Sequence, residues 1–407
     1  MLEHFFKTQE AQTFREGPHG SLLEGFARDL CQAGYSEGTV RRRFGVAKHL
    51  LHWMDGERVS VSGLTEDVIK RFGQHRCRCV GFGPILQTDL FAGARLFLKY
   101  LRNTGSTTAE PNQDPPLLVA FLRWMRQQRG SGDNILYHYG SCIRALLKRL
   151  GEDPTRFDAR GLRQFLLEAN RQSGWSRAKK HTTALRMFLR FLISEGTCAA
   201  SLEAAVPRLA HWRLSSLPRY LPPEDVERII DSCDQSTPVG RRDRAILLLL
   251  ARLGLRAGDI VQLRLADIDW KEAAIRVSGK GRRETQLPLT QEVGGAIVNY
   301  LKTGRPRVDT DVMFPCLRAP FHPFTSPAAV STIVTRAMRR ARVSRSGGAA
   351  HVLRHSAATA MLRHGASLQD IANVLRHRSI ASTEIYAKVD VTALKRIAQA
   401  WPEVQPC

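Results

Sequence analysis

The change of periodicity near residue 223 constrains the fold more than any other feature of this sequence. Before it, apolar residues recur at helical spacing between Gly and Pro, as in the stretches 36–54 and 175–196. After it, two helical stretches are followed by three short strand patterns, "DIDW", "AIRVSG" and "TQLPL", and from Pro327 the pattern is helical again. The sequence therefore predicts all-α modules followed by an α+β domain with a small antiparallel sheet.

The helical half contains a weak internal repeat. Phe26 and Gly45 are nineteen residues apart, as are Phe121 and Gly140, and "RLFLKYLRNTG" matches "RMFLRFLISEG" at its apolar positions. We interpret this as two copies of one helical module, at about 20–106 and 117–197; the alternative is that helices of similar length resemble one another by chance. Polar and Pro-rich segments divide the chain, and they predict a first helical module at 1–108, a second at 109–206, a linker at 207–222, and a last domain with a C-terminal helix at 223–407.

The charge balance indicates a polyanionic partner. The chain has 61 Lys and Arg against 38 Asp and Glu, a formal charge of +23 in 407 residues. Basic side chains spread along the amphipathic helices favour double-stranded nucleic acid over a merely soluble basic protein. The candidate DNA-contacting residues are Arg41, Arg42, Arg43, Arg177, Lys179, Lys180, Arg282 and Arg283. Simple surface exposure explains these positions as well.

Several classes of protein are disfavoured by what the sequence lacks. The eight Cys are scattered, and the spacing of Cys77 and Cys79 is typical neither of a zinc ligand set nor of a disulfide framework. No Gly-x-x-x-x-Gly-Lys-Ser/Thr loop or acidic metal cluster occurs. The first residues do not form a signal-peptide pattern, and no uncharged apolar stretch approaches about 18 residues. We expect a soluble, cytoplasmic protein with no metal, no cofactor and no membrane contact.

The stretch "HVLRHSAATAMLRHG" combines a predicted helix with a polar pair. Leu353, Ala357 and Ala360 fall on one apolar face, and Gly365 ends the helix. His351 and Arg354 are three residues apart, so they should share a different face and converge on one ligand. An imidazole beside a planar guanidinium suits a phosphate group.

Two short helical patterns follow and carry the next polar candidates. "SLQDIANVLRH" ends with His377, and "STEIYAKV" carries Tyr386. A tyrosine on an apolar helix is usually a core residue whose hydroxyl is hydrogen-bonded. Tyr386 therefore indicates no function by itself.

Four segments, taken together and in order, resemble the signature boxes of the tyrosine recombinases, the phage-integrase-like site-specific recombinases and their transposase relatives. They are "LGLRAGDIVQLRLADID", "VSGKGRRETQLPL", "HVLRHSAAT" and "LRHRSIASTEIYA", and the resemblance covers about 223–390. The resemblance implies helical core-binding modules of the SAM-like type ahead of the catalytic domain. It also implies six catalytic residues: Arg256, Lys280, His351, Arg354, His377 and the nucleophile Tyr386.

The resemblance implies strand breakage and rejoining through a 3′-phosphotyrosyl intermediate, without metal or ATP. Arg256, Arg354 and His377 would bind the phosphate, His351 would take the tyrosine proton, and Lys280 would protonate the 5′ hydroxyl. The implied partners are double-stranded DNA, a homotetramer on two DNA sites, and accessory recombinases or DNA-bending proteins. His355 and His364 lie off the motif, which favours structural or solvent-facing roles.

Two small departures and one large one accompany the resemblance. Arg376 replaces a common Gly, Asp259 replaces a more frequent Glu, and the first helical module is additional to what many relatives carry. The extra length favours an integrase or transposase of a mobile element over a chromosome- or plasmid-dimer resolvase. A catalytically silent DNA-binding regulator and a type IB topoisomerase-like relaxase stay open. Apolar residues around Leu394 predict a terminal helix. The resemblance implies that this helix docks on a neighbouring subunit, and docking on its own domain stays open.

Overall fold

The chain divides into two compact units. The computed structural model describes residues 2–75, 79, 86–107, 114–171, 173–207, 217–278, 284–344, 349–377, 379–389, 394–395 and 398. One unit comprises Met1–Thr107 together with Leu214–Cys407, and the other comprises Thr108–Arg213. No helix in these ranges is both long enough and apolar enough to span a membrane.

The first stretch of the chain, up to residue 107, is helical. Its helices are α1 (Thr8–Glu16), α2 (Gly20–Gln32), α3 (Glu37–Gly56), α4 (Glu66–Gln74) and α5 (Gln87–Asn103). Their apolar faces meet in one hydrophobic cluster that runs from Leu2 to Leu101. Amphipathic helices of this kind are stabilised mainly by such shared burial.

The unit Thr108–Arg213 is helical too. Its helices are α6 (Pro116–Arg129), α7 (Asp133–Leu150), α8 (Ala159–Asn170), α9 (Trp175–Ser194) and α10 (Ser201–Ala204). A separate hydrophobic cluster, from Leu118 to Val206, forms its core.

Helices α2 to α5 and helices α6 to α9 repeat one arrangement. In each set the second helix packs on the fourth, and the third packs on the fourth. Phe26 and Phe97 meet edge to face with centroids 5.1 Å apart, and Phe121 and Phe188 meet in the same way at 5.2 Å. These four rings occupy the positions that the sequence repeat matches, so the structure supports duplication of one module over chance similarity.

The C-terminal part of the larger unit is α+β. Its helices are α11 (Pro223–Asp231), α12 (Pro238–Ala251), α13 (Ala257–Gln262), α14 (Gln291–Thr303), α15 (Pro327–Arg340), α16 (Ala349–Arg363) and α17 (Leu368–Val374). Two 3-10 helices, Ile380–Ser382 and Glu384–Val389, follow α17. Helix α14 had no counterpart in the sequence predictions. The expected terminal helix falls almost wholly outside the described residues.

A three-stranded antiparallel sheet lies between α13 and α14, as predicted. Its strands are β1 (Ile268–Asp269), β2 (Ala274–Ser278) and β3 (Glu284–Pro288), in the order β1-β2-β3. Ile275 pairs with Leu287, and both side chains are buried, as is Val277 two residues further along β2. The alternation shows a sheet with one face on the core.

Helix α16 is central to this part of the fold, and it corrects one prediction. It packs against α11, α12, α15 and α17 and against the 3-10 helix that carries Tyr386. We expected His351 and Arg354 to share a face away from the core. His351 is exposed, whereas Arg354 is only 5 % exposed. The expectation was wrong for Arg354, because the elements packed on α16 cover this side chain although it lies off the apolar stripe.

Candidate active site

Arg256 begins the site, in the turn between α12 and α13. Gly254 precedes it with φ +59°, and a Cβ at Gly254 would lie 2.6 Å from a methyl group of Leu375. Only glycine fits this turn without strain. The carboxylate of Asp259 accepts the backbone N–H of Arg256 at 2.7 Å, which fixes the start of α13. Burial lowers the pKa of the half-buried Arg256 guanidinium.

Arg354 lies beside Arg256 and is more deeply buried. Its two terminal nitrogens donate to the backbone carbonyls of Gly254 and Leu375. Burial, and then the charge of Arg256, lower the pKa of Arg354 to about 10. The side chain is still a cation at neutral pH. Two guanidinium groups that repel each other in a low-dielectric site favour an anionic ligand between them.

Residues 375–377, which we call the α17 loop, connect these arginines. The carbonyl of Leu375 accepts from Arg354, and the carbonyl of Arg376 accepts from Nη2 of Arg256 at 2.8 Å. Arg376 itself has φ +54°, and its Nη2 is paired with the carboxylate of Asp259. Its Nε and Nη1 are buried without a hydrogen-bond partner in the described part of the chain. Arg376 thus adds a third guanidinium to the site, which the sequence analysis treated only as a small departure.

Three histidines line the site with different exposures. His351 is exposed at its edge, and local desolvation, followed by the charges of Arg354 and Arg256, lowers its pKa. The pKa of His355 and that of His377 are both lowered to about 4, and burial is the largest cause in each case. Nδ1 of His377 lies 2.7 Å from the hydroxyl of the buried Thr383. All three imidazoles are therefore neutral at pH 7 and able to accept a proton.

Tyr386 is buried next to these groups, with 1 % of its surface exposed. Its ring packs with Ala358, Ile371 and Leu375. Burial raises its pKa to about 12, although the charge of Arg354 acts in the opposite direction. The hydroxyl therefore needs a base, or a closer cation, before it can act as a nucleophile.

The partner of the Tyr386 hydroxyl is His355, whose Nδ1 lies 2.8 Å away. The sequence favours a structural or solvent-facing role for His355 and indicates His351 as the proton acceptor. The structure places His355 in contact with the hydroxyl, and the rings of His351 and His355 are 6.4 Å apart. The signal that could have identified His355 is its position one turn after His351 on the same helix.

The candidate DNA-contacting residues differ in their surroundings. Arg41 is exposed and paired with Glu37 on its own helix, while Arg43 is largely covered and donates to the carbonyl of Asp89 at 2.7 Å. Arg43 therefore ties α3 to α5 instead of facing solvent. The remaining described candidates, Arg42, Arg177, Lys179 and Lys180, are exposed. Lys280, Arg282 and Arg283 lie outside the described residues.

The side chains of this site are those that phosphoryl transfer requires: several cations that can bind a phosphate, and a tyrosine as candidate nucleophile. The phage integrase family matches residues 219–392. The integrase/recombinase-type protein y4rA of Sinorhizobium fredii (strain NBRC 101917 / NGR234) is 35% identical over 398 residues, 95% of this chain and 95% of y4rA. The tyrosine recombinase XerD of Vibrio vulnificus (strain YJ016) is 30% identical over 309 residues, 71% of this chain and 96% of XerD.

The fold agrees with these relatives. A lambda integrase tetramer bound to a Holliday junction superposes with a TM-score of 0.54 at 17% identity, covering 79% of this chain and 92% of that one. This chain belongs to the phage integrase family. It is a tyrosine recombinase, an enzyme that breaks and rejoins DNA strands.

Proposed function

We propose that the chain is the site-specific recombinase of a mobile element, an integrase or transposase that cleaves DNA with Tyr386. The observation that carries the proposal is the convergence of Arg256, Arg354 and Tyr386 on the α17 loop. Attack of a phenol on a phosphodiester builds negative charge on the non-bridging oxygens. Fixed guanidinium groups stabilise that charge more in the transition state than in the ground state.

In the proposed step the hydroxyl oxygen of Tyr386 attacks phosphorus and forms an O–P bond, while the bond to the 5′ oxygen breaks. The phenolic proton passes to a neutral histidine, either His351 as the resemblance implies or His355, which is 2.8 Å from the hydroxyl. Lys280 supplies the proton to the leaving 5′ oxygen. The resulting 3′-phosphotyrosyl bond conserves the energy of the broken one, so a 5′ hydroxyl of a second strand can reverse the step.

The buried position of Tyr386 implies a resting state in the free enzyme. Moving the ring to a phosphate exposes an aromatic side chain and breaks one hydrogen bond, which costs on the order of 3 kcal/mol. Duplex binding by the helical modules and the catalytic domain would offset this cost. We propose in addition that the enzyme acts as a homotetramer on two double-stranded DNA sites, by analogy with the lambda integrase tetramer on a Holliday junction. Accessory recombinases or DNA-bending proteins would complete such an assembly.

The relatives support a mobile element more than a resolvase. The similarity to y4rA extends over 95% of this chain and therefore includes the extra helical module, whereas the similarity to XerD covers 71%. Resolution of chromosome or plasmid dimers is the second candidate, because the proposed strand cleavage and rejoining serves that reaction equally well. DNA flanking the gene should be cloned in two plasmids, one for excision of the enclosed segment and one for resolution of a dimer. Resolution without excision would favour the second candidate.

The cleavage chemistry is tested with a suicide substrate, a DNA duplex nicked opposite the cleavage site. Tyr386→Phe should abolish the covalent protein–DNA species and leave duplex binding nearly unchanged, since only the attacking oxygen is removed. Tyr300→Phe is the matched control, because Tyr300 is also a fully buried tyrosine of the catalytic half. A covalent species formed by the Tyr386→Phe chain would overturn the assignment of the nucleophile.

A further inference from the structure

A second cluster of chemically active side chains lies in the first helical module. His49 is on α3, His75 directly follows α4, and Cys79 comes four residues later. One ring nitrogen of each histidine and the Sγ of Cys79 lie within 4.8 Å of one another. In the sequence, the spacing of Cys77 and Cys79 is not typical of a zinc ligand set, and it does not indicate ligands from other segments. The fold adds two histidines from other positions to this segment.

The orientation of His75 is the observation that points to a ligand. Its Nδ1 contacts the backbone carbonyl of Phe72, so the imidazole carries its proton on that side. Nε2, on the opposite side, is buried and has no hydrogen-bond partner within the described residues. Histidines that bind metals have this arrangement, with one ring N–H donated to a carbonyl and the other lone pair directed at the ion.

His49 supplies a second imidazole in a dry environment. It is 2 % exposed, and its ring centroid is 5.2 Å from that of His75. Phe72 packs edge to face on His49 at 5.1 Å, and Trp53 lies 5.9 Å from His75. The imidazole coordinates metals through a ring nitrogen that carries no proton, and the burial of His49 shields such a nitrogen from solvent. An apolar shell around polar ligands excludes competing water.

We propose that His49, His75 and Cys79 bind one borderline-soft divalent cation of the zinc type. Two imidazoles and one thiolate are ligands that zinc prefers over the oxygen ligands of Mg²⁺ or Ca²⁺. Zinc bonds of about 2.0–2.3 Å in tetrahedral geometry place ligand atoms roughly 3.3–3.8 Å apart. Small side-chain rotations would bring the three atoms from within 4.8 Å to that separation. The site goes beyond strand exchange, since it lies on residues that the proposed cleavage step does not use.

The ion would fasten the end of α4 to α3 in the first module. The second module does not repeat the ligands: by the spacing from Gly45 and Gly140, the position of His49 corresponds to Arg144, which is paired with Asp114 at 2.7 Å. Helix α4 also has nine residues where α8 has twelve. A metal link would therefore substitute for packing that the shorter helix lacks.

The experiment uses the full-length protein, stripped with a chelator and titrated with Co²⁺ and then Zn²⁺. We expect one ion per chain, a tetrahedral cobalt spectrum, and a thiolate-to-cobalt charge-transfer band that zinc removes. Cys79→Ser should weaken binding by more than about a hundredfold, because loss of a ligand exceeds the roughly 10–100-fold effect of losing a supporting contact. Cys31→Ser, another partly buried cysteine of the same module, should bind like the parent.

A second measurement needs no variant. Zinc should slow alkylation of Cys79 in the parent protein, identified by peptide mapping, and should raise the thermal midpoint of the parent and of Cys31→Ser. Equal affinity in Cys79→Ser, a cobalt spectrum without the thiolate band, or binding that requires Cys77 and not Cys79 would each overturn the proposal. Loss of binding in both Cys77→Ser and Cys79→Ser would support the site with a fourth protein ligand.

Discussion

Replacing Arg376 with glycine sets two opposing effects against each other within the α17 loop. Arg376 has φ +54°, a left-handed conformation that costs a non-glycine residue about 1–2 kcal/mol. Glycine removes that strain, but it gives up about 0.5–1 kcal/mol through greater freedom of the unfolded chain. The substitution also removes the ion pair with Asp259, in which the side chains are only 6% and 9% exposed.

The ion pair should decide the outcome. Removing one partner of a buried pair costs about 3–5 kcal/mol, and the lower end applies here because Asp259 keeps the N–H of Arg256. The net loss expected for Arg376→Gly is about 2–3 kcal/mol. For a domain of about 150–250 residues, a range that includes the predicted last domain at 223–407, each kcal/mol moves the thermal midpoint by about 2–4 °C, so the midpoint should fall by roughly 4–12 °C.

Two further variants separate the effects by thermal unfolding. Arg376→Ala loses the same ion pair but keeps the strain, so it should be less stable than Arg376→Gly by about 1 kcal/mol. Adding Asp259→Asn to Arg376→Gly should recover part of the loss, since it removes the carboxylate charge left without its partner. An Arg376→Gly protein as stable as the parent, or more stable, would show that strain outweighs the pair and refute this reasoning.

Three other outcomes are expected. Arg354→Lys keeps a charge but cannot donate to two carbonyls and a phosphate together, so suicide-substrate cleavage should fall by on the order of a hundredfold. Activity within a few-fold of the parent would contradict the role of Arg354 in binding the phosphate. His355→Asn should slow cleavage more than His351→Asn if the contact with Tyr386 persists on DNA; the reverse order in single-turnover rates would assign the proton transfer to His351. The pKa of His355 and of His377 is about 4 in the folded protein, whereas that of a histidine is ordinarily about 6.5, so the unfolded chain binds more protons between these pH values. The thermal midpoint should therefore fall as pH decreases from 6.5 towards 4. A constant midpoint over this range would contradict the burial of these neutral imidazoles.

The sequence predicted those features that depend on local pattern. Period-two alternation located the strands to within one or two residues, as in β2, and the apolar positions of the two Phe-containing repeats predicted a duplicated helical module. The order of the motifs indicated the family. Helix α14 was missed because Gly294 and Gly295 lie within its first two turns, and a pair of glycines is typical of a turn or loop.

Features that arise from tertiary contact were beyond prediction from local pattern. Burial of Arg354 depends on how many elements cover α16, and the cluster of His49, His75 and Cys79 joins residues separated by up to thirty positions. Arg376 looked like an incidental replacement of glycine because its partner, Asp259, is 117 residues away in the chain. Residue types and spacing identify which groups are present, whereas protonation and pairing follow from packing.

The surroundings of Tyr386 can be compared with those of a second buried tyrosine, Tyr300. Tyr386 and Tyr300 are both fully buried, and burial raises the pKa of each to about 12. The guanidinium near each of them differs: Arg242, near Tyr300, is paired with Asp243 at 2.6 Å, whereas Arg354 donates to two backbone carbonyls. The carboxylate of Asp243 neutralises the first cation, but carbonyls leave the charge of the second available to a phosphate. A buried tyrosine with a hydrogen-bonded hydroxyl is therefore compatible with catalysis when its neighbouring cation has no carboxylate partner of its own.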